Sequence, residues 1–229
     1  MAIRLDASAD YLNRTTNLPA ATAWSTCFWF YHIAVNASSS RPYFSNDAGS
    51  LTLTSGGNLE VTSFTFSTSG ISTSLATGAW HFMALSQVSG TLFGYHRTAG
   101  GTWATASIAN APSSLTSQNW GRAGAATWCD ARYAAIKFWD VGLTEAEIHN
   151  EADTICPRKL DSLNEFWPCF PGATERLAGY SKARNLTGNG TLTDEDPPPV
   201  SWGAMPPLLH INFTPQSGNR SRLLLLGVG

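Results

Sequence analysis

Short stretches in which apolar and polar residues alternate fill the chain between about residues 21 and 132. Alternation places one face of a strand on a core and the other in water, as in antiparallel sheets. The clearest alternating stretches are Ser50–Thr54, Leu59–Phe66, Trp80–Ser86 and Thr91–His96. A further stretch, Thr26–Val35, is apolar on both faces, so we expect a central strand there. Many short strands between Gly, Ser, Asn and Pro clusters predict a sandwich or a barrel.

One short helix is predicted after this strand-rich region. Residues Thr144–Ile148 carry the Ser/Thr-x-x-Glu capping box, in which Thr144 and Glu147 satisfy each other's unpaired amides. Glu145 and Glu147 are two positions apart and do not face each other on a helix, so we interpret them as structural. Further on, Phe166–Phe170 and the turn-rich Asn185–Leu192 predict one or two more strands.

The composition changes sharply where Asp194-Glu195-Asp196 meets three prolines. Proline favours extended geometry and cannot donate to a sheet ladder. We therefore divide the chain into a globular domain, residues 1–196, and an extended proline-rich C-terminal arm, residues 197–229. The arm carries many large apolar side chains: Trp202, Met205, Leu208, Leu209, Ile211, Phe213, Leu223, Leu224, Leu225 and Leu226. Because such a segment is too apolar for water, we expect it to lie on a neighbouring copy or a different subunit.

Charge and hydropathy exclude two classes of partner. With 14 Lys+Arg against 16 Asp+Glu and only 13% charged residues, the chain has no basic field for nucleic acid. No apolar run approaches the roughly 18 residues that cross a bilayer, so we expect no membrane span. The N-terminus lacks the apolar core of a secretory signal, which predicts synthesis in a cytoplasm or removal of a signal.

Four stretches resemble the laminin-G-like, concanavalin-A-like jelly-roll superfamily. Leu5–Leu12 is similar to its "F-D-G-x-D-D-Y-L" strand and Gly78–Leu85 to its "G-x-W-H-H-V-A-L" strand. Ala134–Ile148 resembles its closing strand with the "L-S/T-x-x-E-I" helix turn. Phe166–Pro168 through Asn185–Leu192 resembles its "Y-W-P-L-D … D-L-S-G-N-G-x-x-G-T-L" segment. The resemblance implies an all-β sandwich of two antiparallel sheets, six or seven strands each, with Trp29, Trp80 and Trp139 in the core.

The sequence gives little support for an enzyme. Glycosidases of this superfamily carry Glu-x-Asp-x-x-Glu on one strand, which supplies both an acid and a nucleophile. No such stretch occurs here, and Glu60 is the lone carboxylate of the hairpin region. The Gly-x-Ser-x-Gly elbow of serine hydrolases is also missing, and the five histidines have no obvious partners. We therefore expect a protein without catalytic activity.

Metal sites and disulfides are weakly supported as well. Cys156 and Cys169 lack a second ligand pair at zinc spacing, so we expect buried thiols. Calcium needs about six converging oxygens, whereas Asp10, Asp47 and Asp130 offer one carboxylate each in separate loops. We expect no cofactor, with calcium as the weaker alternative.

Exposed aromatic side chains beside polar residues are typical of carbohydrate recognition. The candidates near predicted loops are Tyr95, Trp103, Trp120, Arg122 and Trp128. The competing interpretation is core packing, because a tryptophan buries a large area wherever it lies inside a fold.

Two functions stay open from the sequence. The first is a non-enzymatic structural protein of a bacteriophage virion, a capsid decoration or fibre-like component made in the host cytoplasm. Its arm would dock on its own copies, in a trimer or another homo-oligomer, and on a capsid or tail subunit. The alternative is a carbohydrate-binding, lectin-like module of a cellular, extracellular protein. A hydrolase is a third hypothesis, and the fold alone does not choose among them.

Overall fold

A computed structural model describes most of the chain. The residues described are 2–5, 10–20, 22–33, 41–47, 49–54, 58–63, 68–72, 75–110, 115–124, 127–172, 177–182 and 184–203. Within them, no helix is both long and apolar enough to cross a membrane.

The described residues form seventeen strands and one short helix. In chain order these are β1 Ala2–Leu5, β2 Tyr11–Arg14, β3 Trp24–His32, β4 Arg41–Asn46, β5 Gly49–Leu53, β6 Leu59–Ser63, β7 Thr68–Ser72, β8 Ala79–Val88, β9 Thr91–Thr98, β10 Trp103–Ala109, β11 Gln118–Trp120, β12 Arg122–Gly124, β13 Thr127–Trp128, β14 Ala131–Trp139, α1 Glu145–Glu151, β15 Leu163–Trp167, β16 Thr187–Asn189 and β17 Thr193–Glu195. The predicted strands and helix are confirmed over the described residues, although the strand predicted over Phe166–Phe170 ends at Trp167. Residues 34–35 and 64–66 of two predicted strands lie outside the described residues.

Two antiparallel sheets make up the sandwich, as predicted. The eight-stranded sheet has the order β10-β9-β8-β3-β14-β1-β17, and β15 pairs with β14 beside β1. The seven-stranded sheet has the order β16-β2-β11-β4-β5-β6-β7, and β12 and β13 form a separate hairpin. The expectation of six or seven strands is too low for the first sheet, because β15 and β17 from the segment after Cys156 extend it.

The central strand β3 is buried on both faces, as its sequence predicted. Its residues Trp24, Phe28 and Phe30 point between the sheets into the main core. The intervening Cys27 and Trp29 point outward into a second apolar cluster on the far face of the eight-stranded sheet. Trp80 and Trp139 belong to this second cluster too, so all three tryptophans predicted as core are buried.

Helix α1 covers the outer face of the eight-stranded sheet. The capping box predicted for it is present, with Thr144 and Glu147 each accepting from the other's backbone amide. Ile148 packs with Leu143 into the second cluster. The loop before the helix lies so close to β8 that a Cβ on Gly142 would clash with the Gln87 carbonyl oxygen.

A buried ion pair joins this helix to the sheet. Nζ of Lys137 on β14 donates to the Glu151 carboxylate at 2.8 Å and to the carbonyl oxygens of Glu151 and Thr154 at 2.9 Å. The other carboxylate oxygen of Glu151 accepts from the amides of Arg158 and Lys159. Both charges are therefore fully hydrogen-bonded, which offsets the cost of burying them.

The beginning of the predicted arm packs on the chain's own body. Carbonyl oxygens of Ser201 and Trp202 accept from the amides of Ile155 and Cys156. The indole of Trp202 stacks on Phe170 with ring centroids 5.4 Å apart and stays 42% exposed. The other nine arm residues singled out above fall in 204–229, outside the described residues.

A candidate binding face on the seven-stranded sheet

Two of the predicted aromatic contacts lie inside the protein. Trp120 is wholly buried between the sheets, where it packs on Phe44 and Trp167. Tyr95 points the other way, into the cluster under helix α1, and burial raises the pKa of its hydroxyl to about 12. Neither ring can stack on a glycan, so the expectation of exposed platforms at Tyr95 and Trp120 is wrong. The cover supplied by the second sheet and by the helix is the physical reason.

Trp103 is half-buried and already engaged. Its ring stacks on the His149 imidazole of helix α1 at 3.9 Å, and the Arg97 guanidinium lies 4.9 Å from the ring centroid. Arg97 in turn pairs with Asp153 at 2.8 Å. The tryptophan therefore fastens the helix to strand β10, and its role is packing rather than an open platform.

Arg122 and Trp128 are brought together by the small hairpin. They are Cα partners in the pairing of β12 with β13. Their side chains lie outside the part that the structure describes, so both stay predictions.

The open face of the seven-stranded sheet carries a continuous row of neutral polar side chains. The row crosses all seven strands in register, and each residue is the Cα partner of the next: Thr187, Asn13, Asn119, Ser45, Ser50, Thr62 and Thr68. Their sequence neighbours Leu12, Phe44, Leu51 and Val61 point into the core, so the row points away from it. Ser45 is buried and the others are half-buried or exposed. We call these seven residues the polar row.

Hydrogen bonds between side chains align parts of the row. Nδ2 of Asn13 donates to Oδ1 of Asn119 at 2.6 Å. The Ser50 hydroxyl lies 3.0 Å from that of Thr52. Among the described side chains of this face, Glu60 is the one charged group and Tyr11 the one aromatic ring. The face therefore offers hydroxyl and amide groups with very little charge.

Solved structures with a similar architecture include proteins of different kinds. A putative carbohydrate binding protein from Bacteroides ovatus matches with a TM-score of 0.59 at 15% identity, over 86% of this chain and 61% of that one. A SAP-like pentraxin from Limulus polyphemus matches at 0.53 and 13% identity, over 84% and 93%. The enzymatically active domain of tailspike protein 2 from bacteriophage CBA120 matches at 0.54 and 14% identity, over 71% and 29%.

The chain has the jelly-roll fold of these structures. It spans about three fifths of the Bacteroides protein, 61% of its length. No protein-family model and no curated protein matches the sequence. At identities near 15% these likenesses establish the jelly-roll fold, while function depends on the side chains of this chain.

Two histidines are sequestered in the interior of the jelly roll. Nδ1 of His81 lies 2.9 Å from Nε2 of His96, and Nε2 of His81 lies 2.8 Å from the Ala76 carbonyl oxygen. Because a carbonyl only accepts, Nε2 of His81 carries a proton there. Burial, and for His96 the neighbouring His81, lower the pKa of both imidazoles, that of His96 to about 4. These groups are neutral structural partners at ordinary pH.

The aspartates considered for calcium are engaged in separate loops. Asp47 accepts from the amides of Thr116 and Ser117. Asp10 accepts from the Thr191 amide at 2.9 Å, and Asp130 lies 3.5 Å from the Arg4 guanidinium. The three carboxylates do not converge, so they do not fit a calcium ion. No group of three metal-binding side chains occurs among the described residues.

The cysteines are buried as free thiols, which confirms the expectation for Cys156 and Cys169. Burial raises the pKa of both thiols, that of Cys169 to about 12.

The polar row is not among the residues predicted from the sequence, because those predictions rest on aromatic side chains. The signal was present in the alternation itself, since Ser50, Thr52 and Thr62 occupy the outward positions of predicted strands. What the alternation does not contain is the register across six strand pairs, which sets these residues side by side.

Proposed function

We propose that the protein is a non-catalytic carbohydrate-binding jelly roll whose binding surface is the polar row. The observation that carries this proposal is the in-register line of neutral hydroxyl and amide side chains on a sheet face that no described helix covers. The likeness to a structure named a putative carbohydrate binding protein supports the same ligand class.

The chemistry of the row suits a neutral sugar polymer. Sugar hydroxyls both donate and accept, as do the hydroxyl and amide groups of the row. Neutral partners avoid the desolvation cost of burying a charge. Adjacent strands are about 4.8 Å apart, so six steps give a row of about 29 Å. That length suits an oligosaccharide laid across the strands, with Tyr11 beside one end of the row as a stacking ring.

We propose that the protein has no glycosidase activity because this face lacks a pair of carboxyl groups among its described side chains. Glycoside hydrolysis uses two carboxyl groups about 5 to 10 Å apart, one on each side of the bond that breaks. Among the described side chains of the face, Glu60 stands alone. A glycan bound here would be held and not cleaved, and incubation with the oligosaccharides that bind should release no shorter products.

A glycan array followed by titration calorimetry tests the proposal. The chain should bind neutral oligosaccharides, and Asn119→Asp should weaken binding about tenfold, because the side chain loses its amide donor. Asn58→Asp makes the same chemical change in an exposed turn and should leave affinity unchanged. Binding to no neutral glycan, or equal losses in the two variants, would contradict it.

A virion location is a second proposal, which the arm favours. We propose that the jelly roll belongs to a tailed-phage particle and that its apolar, proline-rich residues 204–229 dock on a neighbouring copy or a capsid or tail subunit. The likeness to a phage tailspike domain is compatible with that setting. Immunogold labelling with antibodies against the chain should mark intact particles. Labelling confined to cell surfaces would favour a cellular lectin.

A further inference from the structure

Strand β10 is the least protected edge of the two sheets. Among the described strands, the sheets end at β10 and β17 and at β16 and β7. Strands β16 and β17 have only three residues each, and the pairing of β7 with β6 is irregular. By contrast, β10 has seven residues, Trp103–Ala109, with no charge and no proline. Natural sheets normally guard such an edge, so a long neutral one marks a site for another strand.

The core is thin along this edge. Ala104, Ala106 and Ile108 of β10 pack against the main core but are only partly buried. On the adjacent strand the core-facing Leu92 is wholly buried. An added strand with large apolar side chains on its inner face would complete the cover of β10.

One segment of the arm has the alternation of apolar and polar residues expected of a strand that pairs with β10. Residues 208–214, Leu-Leu-His-Ile-Asn-Phe-Thr, lie between Pro206-Pro207 and Pro215. Leu209, Ile211 and Phe213 alternate with His210, Asn212 and Thr214, which is the period of a half-buried strand. The segment has seven residues, the same number as β10.

The path of the chain favours the β10 strand of a second copy. Ser201 Oγ lies 3.3 Å from the Asp153 carbonyl oxygen, and Asp153 pairs with Arg97, the Cα partner of Trp103. The described chain thus ends on the side where β10 begins. From Gly203, five residues reach about 17 Å, whereas the far end of β10 lies about 20 Å beyond its start. From that side, five residues are too few to place the segment antiparallel along the full length of its own β10, whereas a second copy can offer β10 in the required direction. The named strands of both sheets pair antiparallel, and the one isolated bridge, Thr154 with Ser201, is parallel.

We propose that residues 208–214 of one copy pair antiparallel with β10 of a second copy, so that Leu209, Ile211 and Phe213 cover Ala104, Ala106 and Ile108. The inference rests on the proposed contact between the arm and a neighbouring copy, and it names the receiving surface. It does not depend on glycan binding, because the polar row lies on the other sheet.

Cross-linking between two kinds of copy tests the inference. Full-length Ser107→Cys and Asn212→Cys chains, carrying different tags, are co-expressed and treated with a short bis-maleimide. Both positions lie on the proposed outward faces, and the four native thiols are buried. We expect a cross-linked dimer that contains both tags, with neither variant alone giving a comparable yield. A chain that carries both Ser107→Cys and Asn212→Cys is also tested. If it forms only a cross-link within one chain, the inference is overturned.

Light scattering on full-length variants separates this inference from the proposal that it rests on. The unmodified chain should be an oligomer, Ile211→Asp should convert it to monomer, and Asn212→Asp should leave it assembled. A monomeric unmodified chain would overturn both the pairing with β10 and the proposed contact between copies, and would leave only docking on a capsid or tail subunit. An oligomer without the mixed cross-link, or one indifferent to Ile211→Asp, would overturn only the pairing with β10. Circular dichroism on each variant confirms that the sandwich is folded.

Discussion

The two outer faces of the sandwich differ in polarity and in what covers them. The outer face of the eight-stranded sheet carries Trp29, Phe82 and Trp139 and is covered by helix α1 and the loops around it. The outer face of the seven-stranded sheet carries the polar row, and no described helix covers it. Each sheet obeys the same alternation, so the difference lies only in the residues at the outward positions.

Stability and recognition depend on different faces of the sandwich. Apolar outward residues must be covered. Here the cover consists of helix α1, the buried Lys137–Glu151 ion pair and an aromatic clamp, the stack of Trp103 on His149. Neutral polar outward residues are stable in water and stay available to a ligand. Substitutions on the covered face should therefore change the free energy of unfolding, while those on the open face should change binding.

The largest expected effect is at the buried ion pair. Lys137→Met should lower the free energy of unfolding by about 3 to 5 kcal/mol, because the Glu151 carboxylate then loses its buried partner. Lys159→Met is the matched control, since Lys159 pairs with Glu147 at the surface. Urea denaturation should show a much smaller change for this control. Equal losses would show that the buried ion pair contributes no more to stability than a surface ion pair.

Low pH should destabilise the protein through the eight-stranded sheet, which holds the buried His81 and His96. The described strands of the other sheet contain no histidine. The pKa of His96 is lowered to about 4, against about 6.5 in the unfolded chain. Between these values the unfolded state binds more protons, so stability should fall by on the order of 3 kcal/mol as pH drops through that window.

Denaturation at a series of pH values checks this expectation. His96→Gln should flatten the pH dependence between about pH 6.5 and 4. Ser107→Ala, a change at an exposed position of strand β10 that carries no titratable group, should retain the dependence of the unmodified chain. The same slope in all three proteins would refute the role of the buried pair.

A smaller effect is expected at the aromatic clamp. Trp103→Leu should reduce stability by about 1 to 2 kcal/mol, because the ring loses its contacts with His149 and Arg97. Glycan affinity should not change, since the clamp lies on the covered side. A loss of affinity with unchanged stability would restore the platform role that the sequence suggested.

The smallest stability effect is expected on the open face. Asn119→Asp should change the free energy of unfolding by no more than about 0.5 kcal/mol, because Oδ1 can still accept from Asn13. Thermal denaturation of this variant beside Trp103→Leu gives the sharpest form of the comparison. Strong destabilisation by Asn119→Asp would show that the polar row is structural.

Local patterns in the sequence were enough to predict much of the fold. The two-sided apolar run of β3 and the capping box of α1 are written in consecutive residues, so both were predicted correctly. The strands β15 and β17 were harder to place, because joining a sheet depends on a partner far away in the chain.

The candidate site was less predictable than the fold. Trp120 precedes a glycine and looks like a loop residue, yet pairing with β2 and β4 turns its ring into the core. Asn119, one position away, points out for the same reason. A tryptophan's environment is set by long-range register, which one sequence does not contain.

Backbone amide chemical-shift mapping by NMR tests the central claim most directly. The chain would be titrated with the neutral oligosaccharide that binds best on the array. We predict shifts concentrated at Asn13, Asn119, Ser50 and Thr62, with helix α1 and Trp103 unchanged. Shifts confined to the helix side of the sandwich, or none with any neutral glycan, would contradict the account.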